Sequence, residues 1–133
     1  MRTKSLALLA VCIFLSSSAD GASMDGNTLL AQLEKCPKFQ PGQDNFWQTY
    51  IDCESAHSYI RGVFDLNLDL QKHMRRYGPE EFEFSCPPAN VSKEQLRDVV
   101  YYYLKGYSVI RQRPASQLVE AAVLDAWPCP ENP

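Results

Sequence analysis

The residues of this chain with the clearest capacity for chemistry are its cysteines and its two histidines. Of the five cysteines, Cys12 lies in an apolar N-terminal stretch, and the remaining four are Cys36, Cys53, Cys86 and Cys129. An even number of cysteines in a small exported domain favours two disulfide bonds, for which three pairings exist. The alternative is a zinc site, because Cys53 and His57 are four residues apart and would share one helix face. Since no CxxC motif accompanies them, we expect disulfides and neither a metal nor a cofactor.

Sequence motifs of hydrolases and nucleotide-binding enzymes are missing from the chain. It contains no GxSxG, no HExxH and no glycine-rich phosphate loop. His57 falls on the apolar face of a predicted helix, where a histidine packed in the core is the commoner case. Glu80, Glu81 and Glu83 lie in a predicted loop without a histidine or metal motif beside them, which favours an exposed acidic surface. We therefore predict that the protein is not an enzyme.

The first 19 residues have the pattern of a secretory signal peptide. Arg2 and Lys4 give it a positive start, residues 5–15 form an apolar run, and Ala19 is a small residue of the kind that signal peptidases require. The apolar run is too short to stay in a bilayer as a transmembrane helix. We therefore predict cleavage after residue 19, no membrane anchor, and one exported domain of residues 20–133.

The charge of the chain argues against two classes of partner. The formal net charge is −3 at pH 7, and it becomes −5 when Arg2 and Lys4 are removed with the signal peptide. A mildly acidic domain with no block of basic residues is poorly suited to nucleic acids and to anionic membrane surfaces. We therefore expect neither as a partner.

The spacing of apolar residues predicts helices and no sheet. The first two helices are predicted at residues 28–36 and 46–73. Ser92 and Gln95 form a capping box that begins a third helix, and a fourth begins with Pro114 as its first residue and ends before Pro128. Residues 64–70 also alternate as a strand would, but no partner strand is predicted elsewhere. The sequence therefore predicts an all-α fold, a small bundle of about four to five helices.

Each of the three longer helices has a predicted buried face. For the second helix it consists of Trp47, Tyr50, Cys53, His57, Ile60, Phe64 and Leu68. For the third it consists of Leu96, Val99, Val100, Tyr103, Leu104 and Tyr107. For the fourth it consists of Leu118, Val119, Ala122, Val123, Ala126 and Trp127. Gly62 inside the second helix costs about 1 kcal/mol relative to alanine, which a close helix crossing would explain.

The predicted order of the helices selects one disulfide pairing. The last two helices are joined by a short turn and should be antiparallel. The start of the third helix then lies beside the end of the fourth, so that Cys86 and Cys129 should meet. This leaves Cys36 to bond with Cys53 and to join the first helix to the second. Chain-entropy estimates give about 3 kcal/mol for the shorter loop and about 4 kcal/mol for the longer, so both bonds are predicted to be structural.

Three segments are candidates for contact with a partner. The turn of residues 105–113 offers the aromatic, aliphatic and guanidinium groups found in binding hot spots, on Tyr107, Val109, Ile110, Arg111 and Arg113. The loop with Glu80 and Glu81 would steer association with a basic partner. Tyr101 and Tyr102 lie off the core stripe of the third helix and suit a surface contact. The alternatives are an ordinary turn between helices, a solvated loop and packing at the edge of the core.

Several motifs follow one another in a fixed order from about residue 25 to residue 129. They include Gly26-Asn27-x-Leu29-Leu30, Tyr59-Ile60-x-Gly62-Val63-x-Asp65, Phe84-x-Cys86-x-Pro88, Val91-Ser92-x-x-Gln95-Leu96 and Ala126-Trp127-Pro128-Cys129. As an ordered set, with Cys53 before the second, they closely resemble the Rap/Tai family of type VI secretion immunity proteins.

The resemblance implies a helical, disulfide-bonded protein of the periplasm. Characterised members of the family bind and inhibit a peptidoglycan amidase toxin that neighbouring bacteria deliver, commonly as homodimers. We therefore predict an immunity protein of this kind. The alternative is a periplasmic chaperone or stress-protective protein without a single dedicated partner, and a third possibility is an enzyme with an unrecognised site. A single tight partner would favour the first function, and an activity lost on replacing His57 would favour the third.

Overall fold

The structure is a computed structural model, which describes residues 23–36, 42, 44–78 and 83–130. In this part of the chain there are four α-helices, α1 (Gly26–Leu33), α2 (Phe46–Tyr77), α3 (Lys93–Gly106) and α4 (Ala115–Ala126), and a 3₁₀ turn at Ser108–Ile110. The same residues form no strand, only two isolated bridges. The predicted all-α fold is confirmed. The predicted signal peptide, residues 1–19, lies outside the described residues.

Two of the four helices, α1 and α3, begin at polar side-chain caps. Ser92 Oγ accepts a hydrogen bond from the Gln95 backbone N–H at 3.1 Å, and Gln95 Oε1 accepts one from the Ser92 N–H at 3.0 Å, so the capping box is confirmed. Asp25 caps α1 by accepting from the Thr28 N–H at 2.8 Å, and α1 therefore begins before the predicted residue 28. Pro114 is the cap residue of α4 and not its first helical residue.

Two helix ends differ from the prediction. α1 ends at Leu33, before the predicted residue 36. α2 continues past the predicted residue 73 to Tyr77, and the N–H of Gly78 donates to the carbonyl oxygen of Met74 at 2.7 Å. Nothing between His73 and Gly78 opposes a helix, and Arg75 and Arg76 in the last turn suit the negative end of the helix dipole.

The core lies where the four helices meet. α3 packs against the other three helices, and α2 also packs against α1 and α4. The largest fully buried side chains are Leu29, Leu33, Ile60, Leu96, Val100, Leu104, Leu118 and Val119. They come from all four helices, and those of α2, α3 and α4 belong to the predicted buried faces. No helix among the described residues combines the length and the hydrophobicity needed to cross a lipid bilayer.

Four residues predicted to be buried are exposed instead. Trp47 is 71 % exposed and Tyr50 39 % exposed near the start of α2, while Tyr107 and Ala126 are exposed at the ends of α3 and α4. All four lie at or near a helix end. There the sequence pattern continues, but the neighbouring helices no longer cover the side chain.

The close helix approach occurs at Gly26 and not at Gly62. Gly62 is exposed, and a Cβ atom added there would meet nothing within 4 Å, so the predicted close crossing is wrong. A Cβ atom at Gly26 would collide with Leu118 Cδ1 and would lie 2.9 Å from the carbonyl oxygen of Arg111. The first residue of α1 therefore packs directly against α4 and the turn before it.

Both predicted disulfide bonds are present. Cys36–Cys53 joins the residues after α1 to α2, and Cys86–Cys129 joins the residues before α3 to those after α4. The Cys86 N–H donates to the carbonyl oxygen of Trp127 at 2.7 Å. This hydrogen bond also connects the residues before α3 with the end of α4. The disulfide pairing that we derived from the order of the helices is confirmed.

Candidate partner-binding surface

The side of α3 that faces away from the core is formed by residues at positions i, i+3, i+4 and i+7. We call this the outer face of α3, and it consists of Asp98, Tyr101, Tyr102 and Lys105. Tyr102 is 70 % exposed, whereas Tyr101 is half-buried and packs against the core. The centroids of the two tyrosine rings are 5.4 Å apart, with the rings nearly perpendicular. Tyr102 therefore fits the predicted surface position, and Tyr101 fits the alternative of packing at the edge of the core.

Two grooves flank this outer face. The α1–α3 groove has a volume of about 220 Å³ and is lined by Leu33, Cys36, Arg97, Asp98, Tyr101 and Tyr102. The α3–α4 groove has a volume of about 410 Å³ and is lined by Asp98, Val99, Tyr102, Tyr103, Tyr107, Ala122, Asp125 and Ala126. Asp98 and Tyr102 line both grooves. We call these two residues the tyrosine ridge, since they separate the grooves.

A surface ion pair positions the α1 side of the outer face. Lys105 Nζ donates to Glu34 Oε1 at 3.0 Å and lies 5.9 Å from the centroid of the Tyr101 ring. The hydrogen bond to the Glu34 carboxylate raises the pKa of Lys105. An exposed pair of this kind adds little to stability. The pair places Glu34, at the end of α1, on the same side of the surface as Tyr101.

The α3–α4 groove combines aromatic rings with acidic groups. The ring centroids of Tyr103 and Tyr107 are 4.7 Å apart. Burial raises the pKa of Tyr103, and the neighbouring Tyr107 and Asp125 add to the shift. Its hydroxyl, like that of an ordinary tyrosine, is protonated at neutral pH and can donate a hydrogen bond. Asp98 is paired with Arg97 at 2.7 Å, which leaves Asp125 as the main negative group in the groove. The groove therefore suits aliphatic and basic groups on a partner.

The first half of the turn between α3 and α4 is open to solvent. Tyr107 is 48 % exposed and lines the α3–α4 groove together with Tyr102. Val109, in the 3₁₀ turn, is 85 % exposed. Both were predicted as partner contacts, and the structure places Tyr107 beside the tyrosine ridge.

The second half of the turn is attached to the start of α1. The carbonyl oxygen of Arg111 accepts from the Asn27 N–H at 3.1 Å, and that of Arg113 accepts from the Gly26 N–H at 3.2 Å. The side chain of Ile110 packs against the core, and the Nε atom of Arg111 is buried without a hydrogen-bond partner. Arg113 has an exposed side chain. Of the five predicted contact residues in this turn, Ile110 and Arg111 therefore also support the scaffold.

The comparison with known protein families identifies the chain. It matches the family model of the Rap1a immunity proteins over residues 25–129, which include all four helices and all four bonded cysteines. The chain belongs to the Rap1a immunity protein family. The resemblance drawn from the ordered motifs is therefore confirmed. No curated protein and no solved structure gives a match to the chain.

The acidic loop of this Rap1a family protein is described only in part. Glu80 and Glu81, both predicted as partner contacts, lie outside the described residues. Glu83 is exposed, and the ring of the next residue, Phe84, lies under the guanidinium of Arg75, with 4.9 Å between the Arg75 Cζ and the ring centroid. The part of the loop nearest α3 is therefore held against α2.

His57 of this Rap1a family protein is buried, as predicted. Its Nδ1 atom is 3.4 Å from Glu54 Oε1, and its Nε2 atom is 3.9 Å from Cys36 Sγ. Because the Cys36 and Cys53 sulfurs are bonded to each other, neither is a nucleophile or a thiolate ligand in this state. Lys93 donates to the Glu54 carboxylate at 3.0 Å and lowers the pKa of that group.

Sequence reasoning missed three residues of the surface, Arg97, Asp98 and Asp125. Asp98 could have been found, because it precedes Tyr102 by four residues and must share its helix face. Asp125 could not, since its position beside Tyr103 depends on how α4 packs against α3.

Proposed function

We propose that this Rap1a family protein is a periplasmic immunity protein that binds and inhibits a type VI secretion peptidoglycan amidase toxin, and so protects the cell that makes it. Membership of the family supports the immunity role, and the signal-peptide pattern of residues 1–19 supports export. The observation that carries the proposal is the tyrosine ridge, which lies between two grooves on a helical scaffold joined by two disulfides.

A ridge of this kind suits the cleft of an enzyme. Tyrosine supplies a large contact area and a polar hydroxyl at a low cost in side-chain entropy, and Tyr102 is already 70 % exposed on a regular helix. The two grooves would receive the rims of the cleft on either side of the ridge. Since α3 packs against three other helices, little ordering is needed when the complex forms, which favours tight binding.

Inhibition in this proposal is by occlusion and not by chemistry. Of the two histidines, His57 is buried against a disulfide, and His73 is exposed beside the ring of Tyr77. Neither belongs to either groove beside the tyrosine ridge. We infer that the protein acts by filling the cleft of the toxin and excludes the peptidoglycan substrate from it.

The test uses the secreted amidase that a neighbouring reading frame would encode, and measures its hydrolysis of purified peptidoglycan. One equivalent of the full protein should abolish the activity. Replacing Tyr102 with alanine should weaken inhibition by about 30-fold or more, as for a central hot spot. Trp47→Ala is the matched control, because Trp47 is equally exposed but lies at the start of α2, outside both grooves.

Three results would contradict the proposal. The first is full amidase activity in the presence of excess protein. The second is equal weakening by Tyr102→Ala and Trp47→Ala. The third is weak recovery of many periplasmic proteins in a pull-down in place of one stoichiometric partner, which would favour the chaperone alternative.

We also infer that the protein forms a homodimer through an apolar stripe on α2. The stripe consists of Leu66, Leu70, His73 and Tyr77, whose spacing of four, three and four residues is that of a coiled-coil seam. All four side chains are exposed, Leu66 and Tyr77 by about 70 %. They lie away from Phe64, Leu68 and Gln71, which face the core or are partly covered by it.

The charges beside the stripe favour a second, antiparallel copy as its partner. Asp69 and Arg76 are seven residues apart on the same side of the helix. In an antiparallel pair centred between Leu70 and His73, Asp69 of each copy lies near Arg76 of the other. Asp69 also pairs with Lys72 of its own helix at 2.9 Å on the exposed surface, so the contact with Arg76 would add to that pair or replace it. Leu70→Glu should therefore give a monomer by light scattering, whereas Ile51→Glu, at an exposed position outside the stripe, should leave a dimer. A monomeric wild-type protein would contradict this inference.

A further inference from the structure

Three residues with metal-binding side chains lie together beside the α1–α3 groove. Cys36, Cys53 and His57 are all buried, and their sulfur and nitrogen ligand atoms lie within 4.8 Å of one another. Cys53 and His57 are held one helical turn apart on α2, and Cys36 is brought to them from the end of α1. In the disulfide-bonded state the two sulfurs are bonded to each other, so they can act as thiolate ligands only after the disulfide is reduced or before it forms.

The imidazole lies close to the position that a tetrahedral zinc ion requires. His57 Nε2 is 3.9 Å from Cys36 Sγ and 4.0 Å from Cys53 Sγ. With Zn–S bonds of about 2.3 Å and a Zn–N bond of about 2.1 Å, a tetrahedral ion separates its sulfur and nitrogen ligands by about 3.6 Å. To hold the ion, the two sulfurs move from bonding distance to about 3.8 Å apart, and the imidazole turns so that Nε2 faces it.

A neighbouring carboxylate orients the histidine ring for this role. Glu54 Oε1 is 3.4 Å from His57 Nδ1, and Lys93 holds the same carboxylate at 3.0 Å. When His57 Nδ1–H donates to Glu54, Nε2 is the nitrogen left without a proton and free to bind a metal ion. It lies 3.9 Å from Cys36 Sγ, whereas Cys53 Sγ is about equally far from Nδ1 and Nε2, at 3.9 and 4.0 Å. Histidines that bind zinc commonly have a carboxylate partner of this kind, which fixes the tautomer.

The buried cluster lies between two surface grooves. Cys36 lines the α1–α3 groove. Glu54, His57 and Lys93 line a further groove of about 540 Å³ on α2. These grooves are the shortest routes by which an ion and a water molecule, as the fourth ligand, would enter.

We propose that the dithiol form of this chain binds one Zn²⁺ through Cys36 Sγ, Cys53 Sγ and His57 Nε2, with water as the fourth ligand. The chain is synthesised with free thiols, so the site needs no reductant to exist. On binding, two thiol protons are released and two Zn–S bonds form. When a small-molecule or protein disulfide oxidises the pair, two electrons pass to that disulfide, the Cys36–Cys53 bond forms and the ion leaves. This site does not depend on the proposed immunity function.

The test measures Co²⁺ binding to the full-length protein, followed by displacement with Zn²⁺. After reduction by a phosphine, one equivalent of cobalt should give thiolate charge-transfer and tetrahedral d–d absorption bands. His57→Ala should change the d–d bands and weaken binding, and Glu54→Gln should weaken it by about 10- to 100-fold. His73→Ala replaces the other histidine, which is exposed on the same helix, and should leave binding unchanged. The oxidised protein should give neither band.

A second measurement separates this site from the other pair of cysteines. Peptide mapping during oxidation by oxidised glutathione should show that zinc at ten times its dissociation constant slows the closure of Cys36–Cys53 about tenfold and leaves Cys86–Cys129 unchanged. Reduced protein without thiolate bands, equal cobalt affinity in wild type and His57→Ala, or zinc protection that follows Cys86 and Cys129 would each overturn the proposal. Since both measurements report on ligand identity, they remain valid if the reduced chain folds only when the metal binds.

Discussion

Tyr107 and Val109, in the first half of the turn after α3, are 48 % and 85 % exposed, whereas the backbone of Arg111 and Arg113 in the second half is bonded to the start of α1. We call residues 107–109 the open half of the turn and residues 110–113 its anchored half. The anchored half fixes where the open half stands relative to Tyr102 and the α3–α4 groove. The difference indicates how a small helical protein can hold exposed side chains in place without a long flexible loop.

The two halves should also respond differently to substitution. A change in the anchored half should lower the free energy of unfolding, because it disturbs backbone bonds and core contacts. A change in the open half should affect binding to the toxin and leave the stability unchanged.

The largest effect is expected at Gly26, against which the anchored half packs. A valine side chain there would collide with Leu118 Cδ1 and with the carbonyl oxygen of Arg111. We expect Gly26→Val to lower the free energy of unfolding by about 3 kcal/mol in urea denaturation, as strong overpacking does. Gly62→Ala is the control, because Gly62 has open space around it and alanine should stabilise the helix by up to about 1 kcal/mol. If Gly26→Val were as stable as wild type, the anchored half would not depend on this contact.

The next largest effect is expected at Ile110, which we compare with its neighbour Val109 across the boundary between the two halves of the turn. Ile110 packs against the core, whereas Val109 is 85 % exposed. Ile110→Ala should lower the free energy of unfolding by about 2 kcal/mol, and Val109→Ala should change it by less than about 0.5 kcal/mol. Chemical denaturation of both variants measures the difference. Similar losses in the two would place the whole turn in the scaffold.

Tyr107 tests the open half directly. Tyr107→Ala should weaken inhibition of the amidase by about tenfold while the melting temperature stays near that of wild type, since its ring is half exposed beside the tyrosine ridge. Inhibition assays and thermal unfolding of the same preparation measure the two effects. A loss of stability comparable with that of Ile110→Ala would assign Tyr107 to the anchored half.

The smallest expected effect is a pH dependence of stability at the start of α1, to which the anchored half is hydrogen-bonded. The hydrogen bond from the Thr28 N–H lowers the pKa of the capping Asp25 below its usual value of 3.8. Its stabilising effect is therefore complete above pH 3.8 and is lost as the pH falls through the lowered pKa of the folded protein. Asp25→Asn, which caps the helix without titrating, should show a shallower decline in unfolding free energy below pH 4. Identical acid profiles would show that the cap is not titrating in this range.

The parts of the fold that depend on local pattern were predicted from the sequence. The capping box at Ser92 and Gln95 places the start of α3 through contacts within four residues. The disulfide pairing followed from one step of topology, since a short turn makes α3 and α4 antiparallel and brings Cys86 to Cys129. Such features need no knowledge of how distant helices pack.

The parts that depend on close packing between helices were not predicted. The sequence marks Gly62 and Gly26 alike as glycines in or beside a helix, but only Gly26 meets another element. Trp47 continues an apolar pattern that is buried further along α2, but it lies near the helix end, where it is exposed. For the candidate surface, Tyr102 was found from its position off the core stripe, whereas the groove formed with Asp125 required the packing of α4 on α3.

In the proposed complex, the tyrosine ridge and the open half of the turn contact the toxin. Oxidative footprinting of the full protein, free and bound to the amidase, tests this contact, because it reads the solvent exposure of single aromatic side chains. We expect the oxidation of Tyr102 and Tyr107 to fall when the complex forms and that of Trp47 to stay unchanged. Protection of Trp47 with continued oxidation of Tyr102 would contradict the proposed contact.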